Sequence, residues 1–290
     1  MNIAWDADKY TSNFSFVPAY GRGAAELIAS PKGSRVLDLG CGNGALTGEL
    51  RDRGFRVTGL DSSKELLSVA EKYYPELEFI LGDATDFSLK EPVDAVFSNA
   101  VFHWIDREKQ PDMLRCVSRA LKDGGELVFE MGGAGNNRLI HEAMEKAFAE
   151  AGYSYRMPFY FPGIGEYAAL LEQAGFEVRY AVLFDRPTEL YGEDGLKDWI
   201  RMFLSQTFSG IREEALREAI RERAAESLRD RLYQDGRWYA DYVRLRMRAV
   251  KRGAEAGNGQ PEGGRSGNRR PEGGQAGNGR SETGQEGSGQ

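Results

Sequence analysis

The segment Arg35–Gly44, RVLDLGCGNG, constrains the fold more than any other stretch of the chain. It begins with an apolar run of strand length, as expected of a strand buried on both faces of a parallel sheet. Three glycines then follow at alternate positions, Gly40, Gly42 and Gly44. Glycines allow a sharp turn and let backbone N–H groups approach a ligand closely. The segment therefore predicts a buried strand that ends in a ligand-binding loop.

A helix follows this glycine loop, because Leu46 and Leu50 lie at helical spacing between Ala45 and Arg53. A strand, a glycine loop and a helix in this order are the nucleotide-binding layout. The relaxed G-x-G-x-x-A pattern of dinucleotide sites is also satisfied, with Asp61 at a suitable distance downstream to bind a ribose hydroxyl. A nicotinamide-dependent enzyme is therefore one open interpretation of the segment.

Asp38, two residues before the first glycine, favours a different ligand. A dinucleotide places its pyrophosphate over this turn, where an adjacent carboxylate would repel it. S-adenosylmethionine carries an ammonium and a sulfonium but no phosphate, so its charge matches that of Asp38. The D-x-G-x-G-x-G pattern in VLDLGCGNG resembles the first motif of the class I S-adenosylmethionine-dependent methyltransferases.

Three further strand ends agree with this resemblance. Predicted strands end on Asp61, just before Asp83 and just before Asn99. Ser62 and Glu65 form an S-x-x-E capping box, which predicts a helix directly after the first of these acids. In the family, the first acid accepts both ribose hydroxyls, the second binds the adenine amino group, and the fourth strand end lies beside the methionine part. The resemblance implies these cofactor-binding residues: Asp38, Gly40, Cys41, Gly42, Gly44, Asp61, Ser62, Asp83, Ala84, Asn99 and Ala100.

Composition sets limits on the other functions. The 290 residues are 41% hydrophobic, enough to bury a full core in one large domain. No apolar run approaches the roughly 20 residues of a membrane span, and the N-terminus has no basic start or apolar stretch, so we expect a cytoplasmic protein without a membrane partner. A net charge of −7 disfavours nucleic acid as a partner. Cys41 and Cys116 have no spacing that suggests a metal site.

The order of motifs predicts an α/β fold for residues 1–252, a Rossmann-like doubly wound sheet. By resemblance the sheet has seven strands, mostly parallel, with an antiparallel last strand beside the fifth. Residues 1–30 form an aromatic N-terminal segment that either covers the cofactor or packs its apolar rings against the sheet. Residues 186–236 form a helical cap inserted before the last strand. The glycine-rich tail, residues 253–290, repeats with a period of ten and has no large apolar residue, so we expect it to be disordered.

Two boundaries follow from local patterns. A short helix is predicted over Gly23–Ala29, ahead of the first strand, and a sixth strand over Phe176–Phe184. Residues 243–249 alternate apolar residues with arginines, which predicts a final strand with one polar face.

Several residues are candidates for contact with the methyl acceptor. His103, after the fourth strand, is a candidate polar contact, general base or structural residue. Trp104 and Tyr10 are candidate substrate contacts, and Tyr10 lies on the aromatic N-terminal segment. The aromatic segment Met157–Ile164 is either a wall of the active site or a hydrophobic plug.

The expected activity is methylation of a small molecule. The segments NAVFHW, DGLKDWI and DGRWY resemble, more weakly, the branch that contains trans-aconitate 2-methyltransferase. That resemblance implies O-methylation of a carboxylic acid, which needs cationic partners, and the candidates in the cap region are Arg186, Arg201 and Arg237. Two alternatives stay open: methylation of an amine, carbon or phenol with His103 as base, and a non-catalytic S-adenosylmethionine-binding protein on the same fold.

Overall fold

The computed structural model describes residues 16–253, and side chains from residue 21 onward. The predictions for Tyr10 and for the tail from residue 254 concern residues outside this range. The first half alternates helices and strands: α1 (Phe16–Ala25), β1 (Arg35–Leu39), α2 (Ala45–Asp52), β2 (Arg56–Asp61), α3 (Lys64–Tyr73), β3 (Glu78–Leu81) and β4 (Val93–Asn99).

The second half begins with two short 3-10 helices, Phe102–Trp104 and Arg107–Lys109. It continues with α4 (Gln110–Ala120), β5 (Leu121–Gly132), α5 (Arg138–Glu150), α6 (Ile164–Gln173) and β6 (Phe176–Leu190). The cap and the last strands follow: α7 (Gly195–Phe203), a 3-10 helix (Ser205–Phe208), α8 (Glu214–Ser227), α9 (Arg229–Leu232), β7 (Tyr233–Gln234) and β8 (Arg237–Lys251).

The strands of the described residues form one sheet in the order β3-β2-β1-β4-β5-β8-β6, and the two-residue β7 pairs with the start of β8. Strands β1 to β5 pair in parallel, while β8 runs antiparallel to both β5 and β6. The predicted doubly wound sheet with an antiparallel last strand beside the fifth is confirmed. In parallel strands the carboxyl ends share one edge, so the loops after β1, β2, β3, β4 and β5 meet there.

The sheet buries a separate apolar cluster on each face. Leu37 and Leu39 pack with α4 and α6, whereas Val36 packs with α1 and α2. This alternation follows from the two-residue period of a strand. A third cluster joins α5 to the cap through residues such as Trp199 and Phe148. The cap thus has its own core next to the sheet.

The helix before β1 ends earlier than the predicted Gly23–Ala29, because α1 stops at Ala25. The backbone N–H groups of Ala29 and Ser30 donate to Oε1 of Glu126 at 3.0 and 2.7 Å, so they cannot continue the helical pattern. This carboxylate comes from a distant strand and is not visible in the local sequence.

The predicted capping box also differs. The N-cap of α3 is Ser63, whose Oγ accepts the Leu66 N–H at 3.2 Å, and Ser62 is exposed. Oδ1 of Asp61 accepts the Ser63 N–H at 2.8 Å, which delays the start of the helix by one residue.

Strand β6 extends past the predicted Phe184 to Leu190, because its pairing with β8 continues to the Leu190–Trp238 pair. The helical part of the cap therefore begins at Gly195. At its other end, Asp235 and Gly236 have φ of 49° and 77°, the positive values of a tight hairpin turn that joins β7 to β8.

Candidate active site

The glycine loop after β1 is held in place by hydrogen bonds from its backbone N–H groups. Gly40, Gly42 and Gly44 have φ of 80°, 55° and 79°, a left-handed region that glycine enters without steric cost. The Gly40 N–H donates to the Leu60 carbonyl at 2.7 Å, and the Gly42 N–H donates to Oδ2 of Asp61 at 2.9 Å. The loop is therefore held against the end of β2.

The three glycines differ in what surrounds them. A Cβ on Gly40 would lie 2.2 Å from Cγ2 of Val101, and one on Gly44 would lie 3.0 Å from Cβ of Ala70. Within the described part of the chain, a Cβ on Gly42 would meet only Cδ1 of Leu66, at 4.0 Å. Gly40 and Gly44 are thus required by packing, whereas Gly42 faces open space above the loop.

Asp38 lies beneath this loop and is only 2% exposed. Oδ2 accepts a hydrogen bond from the Thr47 hydroxyl at 2.7 Å, and no described lysine or arginine pairs with the carboxylate. Burial raises the pKa of Asp38 to about 7, partly offset by the Thr47 bond and reinforced by the charge of Asp61. A buried carboxylate without a cationic partner fits a cationic ligand.

The acids at the ends of β2 and β3 are more accessible. Asp61 is half-buried, and burial raises its pKa against the opposing effect of hydrogen bonds from Ser63 and Gly42. Asp83 is exposed, and the backbone N–H of Thr85 holds its pKa below the ordinary value. Ala84 is half-buried beside it. Both acids lie at the carboxyl edge, as the sequence predicts.

The end of β4 has a strained residue. Ala100 has φ of 61°, which is uncommon for a residue with a side chain, and its N–H donates to the Glu130 carbonyl at 2.8 Å. Asn99 is buried and pairs in register with Glu130. A strained backbone at this edge is typical of a functional site.

His103 is buried in the 3-10 helix after β4. The Gly132 N–H donates to its Nδ1 at 3.2 Å. Burial, with the nearby charge of Arg244, lowers the pKa of His103 well below the ordinary value, so the ring is neutral at pH 7. Because Nδ1 accepts a hydrogen bond, the neutral ring carries its proton on Nε2. Nε2–H is therefore the atom of His103 that can bond to a ligand, and it can only donate.

An aromatic wall, consisting of Trp104, Phe159 and Phe161, surrounds His103. The ring of Trp104 lies 4.6 Å from that of Phe159, and Phe159 and Phe161 stack at 5.3 Å. Both phenylalanine rings lie within 6 Å of the His103 ring, at 5.9 and 5.8 Å. Of the two interpretations of Met157–Ile164, this arrangement favours a wall at the site. Tyr160, between the two phenylalanines, instead packs against the sheet core.

The three arginines predicted from the sequence as partners of an acid substrate pair with different carboxylates and do not form one site. Arg201, which is half-buried, pairs with Asp198 and Glu218, and Arg237, which is exposed, pairs with Glu189. Arg186 alone lies at the sheet edge, where its guanidinium forms a fork with the buried Glu130.

Two further arginines share this carboxylate and were missed by the sequence analysis. Arg244 and Arg246 donate to Glu130 from β8. The sequence signals were a glutamate inside the apolar strand LVFEM and the arginine face of the last strand. We call the four residues Glu130, Arg186, Arg244 and Arg246 the arginine cluster.

Both cysteines are buried, and one of them lies in the glycine loop. Cys41 is buried in the glycine loop, and burial together with Asp38 raises the pKa of its thiol. Cys116 is a buried core residue. Residues 16–253 contain no group of His, Cys, Asp and Glu side chains that could hold a metal ion. Within the same range, the helices are too short or too polar to cross a bilayer.

Comparisons with known proteins agree with this geometry. A family model described as a methyltransferase domain matches residues 36–125. An uncharacterized methyltransferase of Schizosaccharomyces pombe is 32% identical over 259 residues, which cover 85% of this chain and 98% of that protein. The trans-aconitate 2-methyltransferase of Azoarcus sp. is 35% identical over 135 residues, which cover 44% of this chain and only 50% of that enzyme.

Solved structures show the same fold at low identity. Phosphoethanolamine N-methyltransferase 2 of Haemonchus contortus, in complex with S-adenosylhomocysteine, has a TM-score of 0.51 and 19% identity over 81% of this chain and 53% of that chain. A Bacillus halodurans protein assigned as a methyltransferase has a TM-score of 0.56 and 17% identity, covering 81% of this chain and 100% of that chain.

The chain belongs to the class I S-adenosylmethionine-dependent methyltransferases. Its cofactor is S-adenosylmethionine, which removes the dinucleotide interpretation of the glycine loop. The local geometry fits this cofactor, because Gly42 faces open space and Asp38 is a buried acid without a cationic partner among the described residues.

Proposed function

We propose that the enzyme transfers a methyl group to a carboxylate oxygen of a small organic acid. The observation that carries this proposal is the state of His103, which is neutral and has its Nδ1 occupied by the Gly132 N–H. An amine, a phenol or a carbon acid must lose a proton before it attacks a methyl group, and His103 is poorly placed to accept one. A carboxylate is already ionised near pH 7 and needs no base.

The residues that would hold the cofactor follow the strand order of the sheet. The acids Asp83 and Asp61 suit the adenine amino group and the ribose hydroxyls, and Asp38 suits the positive charge of the methionine part. Asn99 and Ala100, at the end of β4, would border the methyl end. When bound, S-adenosylmethionine supplies an electrophilic methyl group on a positive sulfonium.

The acceptor would lie beside the His103 ring, next to the aromatic wall. The Nε2–H of His103 donates a hydrogen bond that orients an acceptor oxygen, and Trp104, Phe159 and Phe161 exclude water from the reacting atoms. Alignment and water exclusion are the main contributions that a protein makes to a displacement of this kind. The partial match to trans-aconitate 2-methyltransferases, whose named substrate is an organic acid, also supports the proposal.

The test is a screen of carboxylic acids, amines and phenols with S-adenosylmethionine, in which mass spectrometry identifies the methylated product. We expect methyl esters of acids and stoichiometric S-adenosylhomocysteine. Binding of the cofactor without turnover on any acceptor class would favour a non-catalytic binding protein.

Two His103 variants make the test specific. His103→Gln should keep much of the turnover with acids, because its amide retains a hydrogen-bond donor, whereas His103→Ala should lose more. The melting temperatures of both variants serve as controls for folding. Methylation confined to amines, carbon or phenols, together with an inactive His103→Gln, would make His103 a base and overturn the proposal.

A further inference from the structure

The arginine cluster carries more positive charge than its fold requires. The Glu130 side chain is fully buried, and its Oε1 and Oε2 accept from Arg186 at 2.5 and 3.1 Å. Arg246 donates to Oε2 through Nε and Nη2, at 2.8 and 2.7 Å. Arg244 reaches Oε1 through Nε at 3.4 Å. Among the described residues, three guanidinium groups therefore share one carboxylate.

The next arginine on the same strand shows what a balanced pair looks like. Arg248 donates to Glu126 at 2.6 Å, in a pairing of one cation with one anion. It has the same side-chain type, and it lies on the same face of β8, because residues two and four positions apart share a face. The excess charge is thus specific to the middle of β8, where that strand pairs with the C-terminal end of β5.

Arg244 is the member of the cluster that uses neither of its terminal nitrogens in a bond to Glu130. It is 8% exposed, and within residues 16–253 its one hydrogen bond is the long contact from Nε. Nη1 and Nη2 bond to no described residue, and the guanidinium lies over the ring of Tyr242 at 5.6 Å. Donors of a guanidinium this deeply buried need an acceptor, which water or a ligand can supply.

The position of Arg244 connects it to the acceptor side of the site. Arg244 pairs in register with Gly132, whose N–H donates to His103. The charge of Arg244 also reaches the His103 ring closely enough to lower its pKa. Arg244 and His103 therefore border the same space beyond the end of β4.

We propose that Arg244, positioned by the arginine cluster, binds a second acidic group of the acceptor, so that the substrate carries at least two carboxylates. This inference rests on the proposed function. The two carboxylates have different roles, because a bidentate arginine stabilises a carboxylate more in the ground state than in the transition state, where the negative charge is dispersed. The carboxylate on Arg244 is thus the anchor, and the one beside His103 is the nucleophile.

Calorimetry on the complex with S-adenosylhomocysteine tests this directly. The probes are trans-aconitate with three carboxylates, glutarate with two, and valerate, which has five carbons like glutarate but one carboxylate. We expect trans-aconitate and glutarate to bind and valerate to bind at least tenfold more weakly. Arg244→Gln should weaken glutarate binding by about 10- to 100-fold, the usual range for a lost charged hydrogen bond. Arg248→Gln is the matched control and should change glutarate affinity by less than about twofold.

The affinity for S-adenosylhomocysteine is measured in every variant, and we expect it to stay within about twofold. A loss of that affinity in Arg244→Gln would assign Arg244 to the carboxylate of the cofactor and overturn the proposal. Valerate binding as tightly as glutarate, or equal effects of Arg244→Gln and Arg248→Gln, would also overturn it. Arg244→Lys keeps the positive charge beside Glu130 but cannot form two parallel hydrogen bonds to a carboxylate. If the Gln variant does not fold, the Lys variant therefore tests whether Arg244 binds the second carboxylate of glutarate.

The binding test and the turnover screen can fail separately. A protein that binds glutarate through Arg244 but methylates only amines would refute the proposed carboxylate chemistry and support the anion subsite. A protein that methylates acids equally well with Arg244→Gln would refute the subsite and support the chemistry.

Discussion

Asp38 combines burial with a single neutral partner, the hydroxyl of Thr47, and its pKa is raised to about 7. The folded protein therefore holds a proton on Asp38 that the unfolded chain, with an ordinary pKa near 3.8, has already released. Stability falls as pH rises from about 4 to 7 wherever the folded state binds more protons than the unfolded state. Above pH 7 the full cost of the buried charge is present.

Asp38→Asn should stabilise the cofactor-free enzyme at pH 8, because the amide keeps an acceptor for Thr47 and carries no charge. We expect a gain of about 2–4 kcal/mol in the free energy of unfolding at pH 8 and less than about half of that gain at pH 5, where the folded carboxyl is still protonated but the unfolded one is already ionised. Thermal and denaturant unfolding at the two pH values measure this difference.

Asp83→Asn is the control for this prediction. The pKa of Asp83 is lowered by the Thr85 N–H, so its contribution to stability has the opposite sign: it is present above the ordinary pKa and is lost as pH falls through the folded pKa. Asp83→Asn should give no gain at pH 8. Equal behaviour of the two variants would contradict the account of Asp38.

The same carboxylate predicts how cofactor affinity depends on pH. A cation beside Asp38 favours the ionised form and lowers its pKa, so binding releases a proton near pH 7. The affinity of the wild-type enzyme for S-adenosylmethionine should therefore rise between pH 6 and 8. Asp38→Asn should bind more weakly and lose this rise. Calorimetry in buffers of different ionisation enthalpy measures the released proton, and an unchanged profile in the variant would rule out Asp38 as its source.

At the scale of elements, different glycines of the glycine loop serve packing and ligand binding. Gly40 is packed against Val101, whereas Gly42 faces open space, although both have positive φ. Gly42→Val should lower S-adenosylmethionine affinity by at least about tenfold, because the side chain would occupy the space of the ligand. It should also lose about 1–2 kcal/mol of stability from the left-handed backbone.

Gly124→Val is the matched control, since Gly124 has φ of 76° and no described atom within 4 Å of where a Cβ would lie, and it lies at the register shift of β5 between Leu121 and Glu126. It should lose similar stability and keep its cofactor affinity. Equal cofactor affinity in the two variants, measured by calorimetry, would mean that Gly42 does not face the cofactor.

The elements that depend on local sequence were predicted well. The strand, glycine loop and helix around Asp38, and the strand ends at Asp61 and Asn99, need only neighbouring residues to be recognised. The N-cap at Ser63 was missed, because the side chain of Asp61 competes for the local N–H groups. Periodicity alone cannot show which of two adjacent serines is the N-cap of the helix.

The partners of charged residues were not predictable in the same way. Glu130 and Arg246 are separated by 116 positions, and their pairing depends on the antiparallel register of β5 and β8. Three arginines of the cap region were equal candidates in the sequence, and of these three Arg186 is the one that pairs with Glu130. The arginines of β8 looked like an ordinary solvated face, because the alternation that marks a strand does not show what covers it.

Across the whole molecule, the carboxyl edge of the sheet is divided by charge. The order β3-β2-β1-β4 presents the acids Asp83, Asp61 and Asp38, and the order β5-β8-β6 presents the arginine cluster. A cationic cofactor suits the first half, and an anionic acceptor suits the second. The two halves meet at β4, whose end carries Asn99 and Ala100. If the acceptor is an acid, as proposed, the sheet directs two ligands of opposite charge toward a common boundary.

This division predicts that changes in the two halves act independently. Asp61 on β2 and Arg244 on β8 are four strand spacings apart, about 19 Å, and share no described partner. Asp61→Ala should weaken cofactor binding by about 1.5–3 kcal/mol. In the double variant with Arg244→Gln, the losses in kcat/KM for the acid acceptor should add to within about 0.5 kcal/mol.

The contrasting pair is Arg244→Gln with Glu130→Gln, which both change the arginine cluster and should couple by about 1 kcal/mol or more. Strong coupling of Asp61 to Arg244 would show that the two ligands share one site rather than two adjoining ones.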